Sequence, residues 1–307
     1  MKIVFMGTPQ FAKVILESLI QSHNVIGVVT QPDRLVGRKK VPTPSPVKEL
    51  ALKHQIDVYQ PMSLRQDYEA IKALNPDVFI TAAYGQFVPK TLLESKPNIN
   101  VHGSLLPMYR GGAPIQYAIK DGLTETGVTI MHMVNKMDAG NIIDQEALPI
   151  EPNDTYTSLS FKMSQLGAKL LLKVLHTYGA NLPIGTSQDV SKVTFAYTLK
   201  REDEHLRYDQ TCEQFINQMR ALLDQPVGHI LVKDMPVKIY DAKKSDIIKR
   251  VEPGTVIHTK KQLTIQNKDG AVDILTIQLP GKKVLTIEQF LNGQNIFYDG
   301  MTLKESL

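Results

Sequence analysis

The first thirty residues restrict the fold most. Residues 2–6 are a short apolar run, Gly7-Thr8-Pro9 turns it, and Phe11, Ile15, Leu16 and Leu19 then recur at helical spacing. Strand, tight turn and amphipathic helix in that order open an alternating unit, and 25–30 supplies the next strand. The alternation continues with helices expected at 47–54, 67–74, 90–94 and 114–121 and strands at 78–83, 99–102, 127–134 and 142–149. An amphipathic helix over 157–178 closes it. Strands separated by helical crossovers predict a Rossmann-like α/β domain with a parallel-type sheet.

Beyond it the pattern changes. Residues 192–207 are polar and aperiodic, 212–223 read as a helix, and short strands follow at 228–233, 237–242, 254–259, 262–266 and 273–278. Five short strands suggest a small OB-like β-barrel. The expected organisation is a catalytic domain over 1–191, a linker over 192–207 and a C-terminal OB-like domain over 208–307. A length of 307 residues suits two domains, and 42% hydrophobic with 21% charged residues allows each a core.

No apolar run approaches the roughly 20 residues that span a bilayer, and the N-terminus lacks a signal-peptide pattern, so a cytoplasmic monomer without a membrane partner is expected. The single cysteine, Cys212, excludes an internal disulfide. The histidines outside the motif described below (His23, His54, His132, His176, His205, His229, His258) lack ligand spacing, so no metal is expected.

A formal charge of +4 permits contact with nucleic acid without requiring it. Its distribution says more: Arg34, Arg38, Lys39, Lys40 and Lys48 fall in a stretch with no acidic residue that also holds Pro42, Pro44 and Pro46. This reads as a mobile basic loop. On composition alone its default role is that of a solvated loop.

In open α/β sheets, ligands bind beyond the carboxyl ends of the strands. Three polar clusters are expected there: 7–9, 100–107 and 136–140. The first lacks the Gly-x-Gly-x-x-Gly spacing of a dinucleotide site, although a helix N-terminus remains suited to an anion. In the second, Asn100 and His102 alternate along a strand and so share a face. An amide beside an imidazole suits the charge that develops on oxygen when an amine attacks a carbonyl carbon. Asp138, in the third cluster, is placed to orient that imidazole and help remove the amine proton. Taken alone, Asn-x-His is more economically a structural histidine bonded to backbone. The flanking segments reverse that reading: His102-Gly-Ser-Leu-Leu-Pro107, Arg110-Gly-Gly-Ala-Pro114 and Met137-Asp-Ala-Gly140 form a long loop-like motif.

The motif resembles that of the folate-dependent formyltransferases. The resemblance implies a catalytic triad of Asn100, His102 and Asp138. It also implies 10-formyltetrahydrofolate as the donor, with Ser104, Leu105, Leu106 and Pro107 forming part of its pocket. Phe87 and Val88 are further candidates for that apolar slot and equally fit an ordinary core. Gly7-Thr-Pro9, Gln31-Pro-Asp-Arg34, Pro44-Ser-Pro-Val-Lys48, Ala83-Tyr-Gly85 and Glu125-Thr-Gly-Val-Thr-Ile130 resemble the branch of the family whose acceptor is initiator methionyl-tRNA. That branch carries a second, OB-like domain, matched here by layout and by Pro280-Gly-Lys-Lys283. The same resemblance makes Arg38, with Lys39 and Lys40, the expected tRNA contact. Arg38 has the planar fork that bridges phosphates or stacks on a base. Alternatives stay open: an amino-sugar nucleotide as acceptor, hydrolysis of the formylfolate, or a nucleic-acid-binding module with an idle first domain. Glycinamide ribonucleotide is disfavoured by the roughly 100 residues after Tyr208.

Overall fold

Ile3, Val4, Phe5 and Met6 have no solvent exposure, as a central strand with both faces covered demands. They lie in β1 (Lys2–Gly7), which leads to α1 (Gln10–Ser22) and β2 (Asn24–Val29). The computed structural model describes residues 1–37, 40–224, 226–258, 260–293 and 296–303. Next come β3 (Arg34–Val36), β4 (Val41–Thr43), α2 (Pro46–Lys53), β5 (Val58–Tyr59), α3 (Glu69–Ala73), β6 (Val78–Ala82), α4 (Lys90–Leu93) and β7 (Asn98–His102). They are followed by α5 (Pro114–Lys120), β8 (Glu125–His132), β9 (Ile142–Pro149) and α6 (Tyr156–Tyr178). The chain divides into two units, the first comprising 1–114, 125–149 and 159–197, the second 115–124, 150–158 and 198–307.

The first unit holds a seven-stranded sheet in the order β5-β2-β1-β6-β7-β8-β9. The chain builds outward through β2 and β5, then returns to the other side of β1 for β6 and β7. The order therefore reverses between β1 and β6, which puts a ligand crevice at their carboxyl ends. The strands from β5 to β7 are parallel, whereas β8 runs antiparallel to β7 and β9 antiparallel to β8. The reason lies in the connections. Residues 103–124 leave β7 and return at the same edge, because His102 pairs with Thr129 and Ile99 with His132. The β8–β9 connection is a hairpin loop over 133–141.

The basic stretch also differs from a plain loop, since β3 and β4 pair as a short antiparallel hairpin through Arg34↔Thr43 and Leu35↔Pro42. Opposite faces of β7 have different fates. Val101 is buried against α6, where Gly167 lets the helix approach, because a Cβ there would press on the Val101 and Val128 side chains. Asn100 and His102 share the other face.

In the second unit α7 (Cys212–Leu222) begins with a capping box in which Thr211 and Gln214 bond each other's backbone. The strands are β10 (His229–Val232), β11 (Met235–Lys244), β12 (Val256–His258), β13 (Leu263–Gln266), β14 (Ala271–Gln278) and β15 (Val284–Thr286), before α8 (Ile287–Gly293). They form one antiparallel sheet in the order β10-β11-β14-β13-β12, with β15 also on β14. Register shifts in β11 around Asp241 let it curl into a half-barrel. Its core packs Leu206, Tyr208, Phe215, Ile239, Ile265, Ile274 and Phe297. Among the described residues no helix is long and apolar enough to cross a membrane.

Candidate active site

The last turn of β7 delivers Asn100 and His102 to one face, and the loops around them determine what they can do. His102 is 5% exposed. Its Nε2 lies 3.0 Å from the Tyr109 carbonyl. A carbonyl only accepts, so Nε2 carries a hydrogen. The other nitrogen, Nδ1, lies 3.7 Å from Asp138 Oδ2. With Nε2–H committed to Tyr109, Nδ1 is the nitrogen that faces the Asp138 carboxylate. Asp138 is itself held, because Oδ2 accepts the Gly111 N–H at 2.8 Å. Asp138 stands in the left-handed region at φ 46°, where Asp is among the few side chains that sit without large cost.

The loop carrying Asp138 does not start from the carboxyl edge of the sheet, as its sequence position suggested. Met133 N–H bonds the Asn98 carbonyl at the amino end of β7. The loop reaches His102 by returning over the face that β7 presents, and the shortness of β7, five residues, makes this possible. Gly140 permits it, since a Cβ there would overlap the His132 carbonyl.

Asn100 Oδ1 is buried and, among the described residues, has no hydrogen-bond partner. The same holds for Thr81 Oγ1, which sits opposite Asn100 in the β6–β7 register. Buried polar atoms are normally paired, so two such oxygens on one face of adjacent strands fit a site that receives a polar ligand.

The turn after His102 is braced from behind. Ser104 Oγ donates to the Met108 carbonyl at 2.6 Å, so its hydroxyl is engaged within the turn. Thr129 Oγ1 donates to the Ser104 carbonyl at 2.6 Å and accepts from Leu106 N–H at 3.1 Å. Gln145 Nε2 donates to the Leu106 carbonyl at 2.8 Å. Leu106 is buried, while Leu105 and Pro107 are half-buried, with Leu105 over Gly127. In the loop after β6, Val88 belongs to the core with Val4, Met6, Val29 and Tyr84. Phe87 is 59% exposed beneath the Arg65 guanidinium, 5.4 Å from the ring centroid. Thr8 Oγ1 and Gln31 Nε2 both donate to the Tyr84 carbonyl, at 3.0 and 3.1 Å, which ties the ends of β1, β2 and β6 together.

Of the basic residues, Arg38 and Lys39 lie outside the described residues, and Lys40 is exposed. Lys48 faces inward. Its Nζ donates to both Asp33 oxygens at 2.9 and 2.8 Å and to Gln60 Oε1 at 2.7 Å. These bonds, from Lys48 first and Gln60 second, hold the Asp33 carboxyl below its usual range.

Sequence reasoning overlooked the strip 186–196, part of which it read as linker. There Thr194 and Ala196 bracket Arg110: Arg110 N–H donates to the Thr194 carbonyl at 2.9 Å, and Ala196 N–H to the Arg110 carbonyl at 2.8 Å. Thr194 Oγ1 accepts from Tyr109 N–H at 2.9 Å. Gly111, at φ 129°, lies where a Cβ would overlap the Ala196 carbonyl. The strip forms only a 3-10 turn over Val190–Lys192 and isolated bridges at Thr186 and Phe195, so no periodicity marks it in the sequence.

An imidazole fixed between a carbonyl and a carboxylate, beside an amide with a buried unpartnered oxygen, suits acyl-type transfer to an amine. Comparison with known proteins agrees with that chemistry. Residues 1–175 match the family model described as formyl transferase, and 198–295 match the one described as formyl transferase, C-terminal domain. A methionyl-tRNA formyltransferase of Staphylococcus aureus (strain Newman) is 48% identical over 299 residues, covering 95% of this chain and 96% of that protein. Among solved structures, an N-formyltransferase from Helicobacter canadensis in complex with folinic acid and dTDP-3-aminofucose superposes with a TM-score of 0.67 at 21% identity, over 89% of this chain and 98% of that one. A methionyl-tRNA formyltransferase from Clostridium thermocellum gives 0.60 at 17% identity, over 80% and 94%. The structural likenesses carry the fold, and the sequence matches, which extend over both units, place the chain in the formyl transferase family.

Proposed function

We propose that the protein transfers the formyl group of 10-formyltetrahydrofolate to the α-amine of initiator methionyl-tRNA, with Asn100, His102 and Asp138 as its catalytic residues. The observation that carries the reading is the placement of His102, buried with Nε2 on the Tyr109 carbonyl and Nδ1 beside Asp138. The 48% identical relative supports the choice of acceptor.

The donor, when bound, supplies an activated formyl carbon. The residues present fit such a group: Asn100 and Thr81 offer buried, unpartnered oxygens, and the braced turn of Ser104, Leu105, Leu106 and Pro107 offers apolar surface beside them. Phe87, exposed on the loop after β6, is a further candidate for that slot by the family resemblance, whereas Val88 lies in the core. Asn100 donates its amide N–H, and His102 its Nδ1–H, where charge gathers on the formyl oxygen. Asp138 orients the Nδ1 edge of His102; as the amine nitrogen bonds the formyl carbon and the bond from that carbon to the folate nitrogen breaks, the proton that the amine loses passes to the departing folate nitrogen through Asp138, His102 or an ordered water. Such donors act at full strength because they are fixed before reaction. Arg38, with Lys39 and Lys40, receives the tRNA backbone; in sequence the three follow Arg34 and precede Lys48 in the stretch without an acidic residue.

Formyl transfer from 10-formyltetrahydrofolate to charged initiator tRNA tests this, with free methionine, an amino-sugar nucleotide and no acceptor run in parallel. Product on the charged tRNA alone is expected. Product on the sugar, or bare formate release, would overturn the acceptor assignment.

A further inference from the structure

We infer that Gln188, acting with Arg110, is a positioning residue for the reaction: a single amide locks the Asp138 loop to the loop that fixes His102. Arg110 is 3% exposed. Its guanidinium gives two hydrogens to one acceptor, Gln188 Oε1, from Nε at 3.0 Å and Nη2 at 2.7 Å. The other end of the same side chain gives two more, from Nε2 to the carbonyls of Asp138 and Gly140, each at 2.8 Å. The amide is thereby used in full, accepting twice and donating twice.

What it joins matters. Arg110 lies between Tyr109, whose carbonyl holds His102 Nε2, and Gly111, whose N–H holds Asp138 Oδ2. The two carbonyls that Gln188 grips flank the turn in which Asp138 takes its left-handed conformation. Both nitrogens of His102 are thus set by loops from opposite edges of the sheet, and Gln188 is the side chain that sets the distance between them. The 3.7 Å from Nδ1 to Asp138 is too long to hold itself by a hydrogen bond, so it depends on this outside brace. A misplacement of about 1 Å in a reacting constellation costs on the order of a hundredfold in rate. Arg110 also gains: a buried guanidinium needs an acceptor, and a neutral amide meets that need without adding a second anion beside Asp138.

The inference rests on the proposed roles of His102 and Asp138, and its test has two independent readings. In the free protein, hydrogen exchange at the Gly111 amide reports whether Asp138 is held. Gln188→Ala is expected to speed it about tenfold or more, while the Ala196 amide, bonded to the Arg110 carbonyl, keeps its protection. In turnover, the same variant is expected to lose roughly 10- to 100-fold in kcat with KM for folate and for acceptor within about twofold of the parent and the melting temperature retained. Gln188→Glu separates the two ends: a carboxylate accepts from Arg110 yet cannot donate to the carbonyls, so it should behave like Gln188→Ala. Arg110→Met combined with Gln188→Ala should cost little more than either alone, because both break one brace.

Unchanged Gly111 exchange in either Gln188 variant would overturn the inference. So would a kcat within twofold of the parent, or a joint fall of kcat, both KM values and melting temperature, which describes a fold defect. If the unsubstituted protein formylates a different amine, the turnover arm is run with that amine. If it formylates none, the proposed function fails while the Gly111 measurement still decides whether the brace exists.

Discussion

Two loops leave the carboxyl edge of the parallel sheet and are held in opposite ways. The loop after β7 is tied at many points along its length: Ser104, Leu106, Tyr109, Arg110, Gly111 and Ala113 each bond a partner from the loop's own turn, from β8, or from 138 and 194–196. Among the described residues, the hairpin after β2 is held to the rest of its unit at its base, where Asp33, Lys48 and Gln60 bond one another. Above that base Leu35 and Val41 are 63% and 54% exposed. The difference matches the tasks proposed for them. Chemistry at a formyl carbon needs donors fixed to fractions of an ångström, whereas capture of a long polyanion needs reach and charge. Substitutions in the first loop should therefore act on kcat, and those in the hairpin on acceptor KM.

The sharpest break comes from the catalytic face. His102→Ala or Asp138→Asn is expected to lower kcat by roughly two orders of magnitude or more, with folate binding and melting temperature little changed. Near-parental kcat in both would remove the assignment. Arg38→Ala should raise the acceptor KM by about tenfold, leave folate KM unchanged and flatten its salt dependence. Equal loss toward both substrates would mean general damage. Lys48→Met tests the base of the hairpin. It leaves Asp33 without its cation, and a rise of a few-fold in acceptor KM alone is expected, since an ion pair partly open to solvent contributes little to stability. A change in kcat instead would place Lys48 in the chemistry.

How much of this was legible in the sequence follows the range of the signals. Asn100 and His102 were readable because a strand's period of two puts them on one face whatever else the chain does. Strand direction was not, because nothing local in 125–132 says at which edge the preceding connection returns. For that reason the spacing leaves the direction of β8 open, and the sequence position of 136–140 suggests the carboxyl edge for the Asp138 loop, which the β7–β8 pairing corrects. Lys48 was counted among the free cations since its partners, Asp33 and Gln60, lie 15 and 12 residues away. The β3–β4 hairpin escaped notice because three-residue strands containing Pro42 show no alternation. Gln188 and Thr194 carry no motif, and only tertiary structure brings them to Arg110 and Tyr109.

The second unit gives the same contrast in another form, as its polar atoms are spent inside the core. Both ring nitrogens of His205 are buried and, among the described residues, unpaired. The ring lies edge-on to Tyr208 and 5.7 Å from the ring of His229. Burial, and then the nearby His229 and Arg207, lower the His205 pKa from the ordinary 6.5, and burial likewise lowers that of His229. The unfolded chain therefore binds these protons more readily than the folded one. Above pH 6.5 both states are deprotonated and stability is whole. As pH falls below 6.5 the unfolded chain charges first, and stability is lost until pH passes through the lower folded-state values. The melting temperature of the second unit should fall between pH 7.5 and 5.5, and His205→Leu should reduce that dependence, leaving the His229 share. Catalytic constants measured at pH 7.5 should be untouched, because the first unit holds the chemistry. An undiminished pH slope in His205→Leu would show that His205 titrates no differently folded and unfolded, and that its burial in this core costs the charged form nothing.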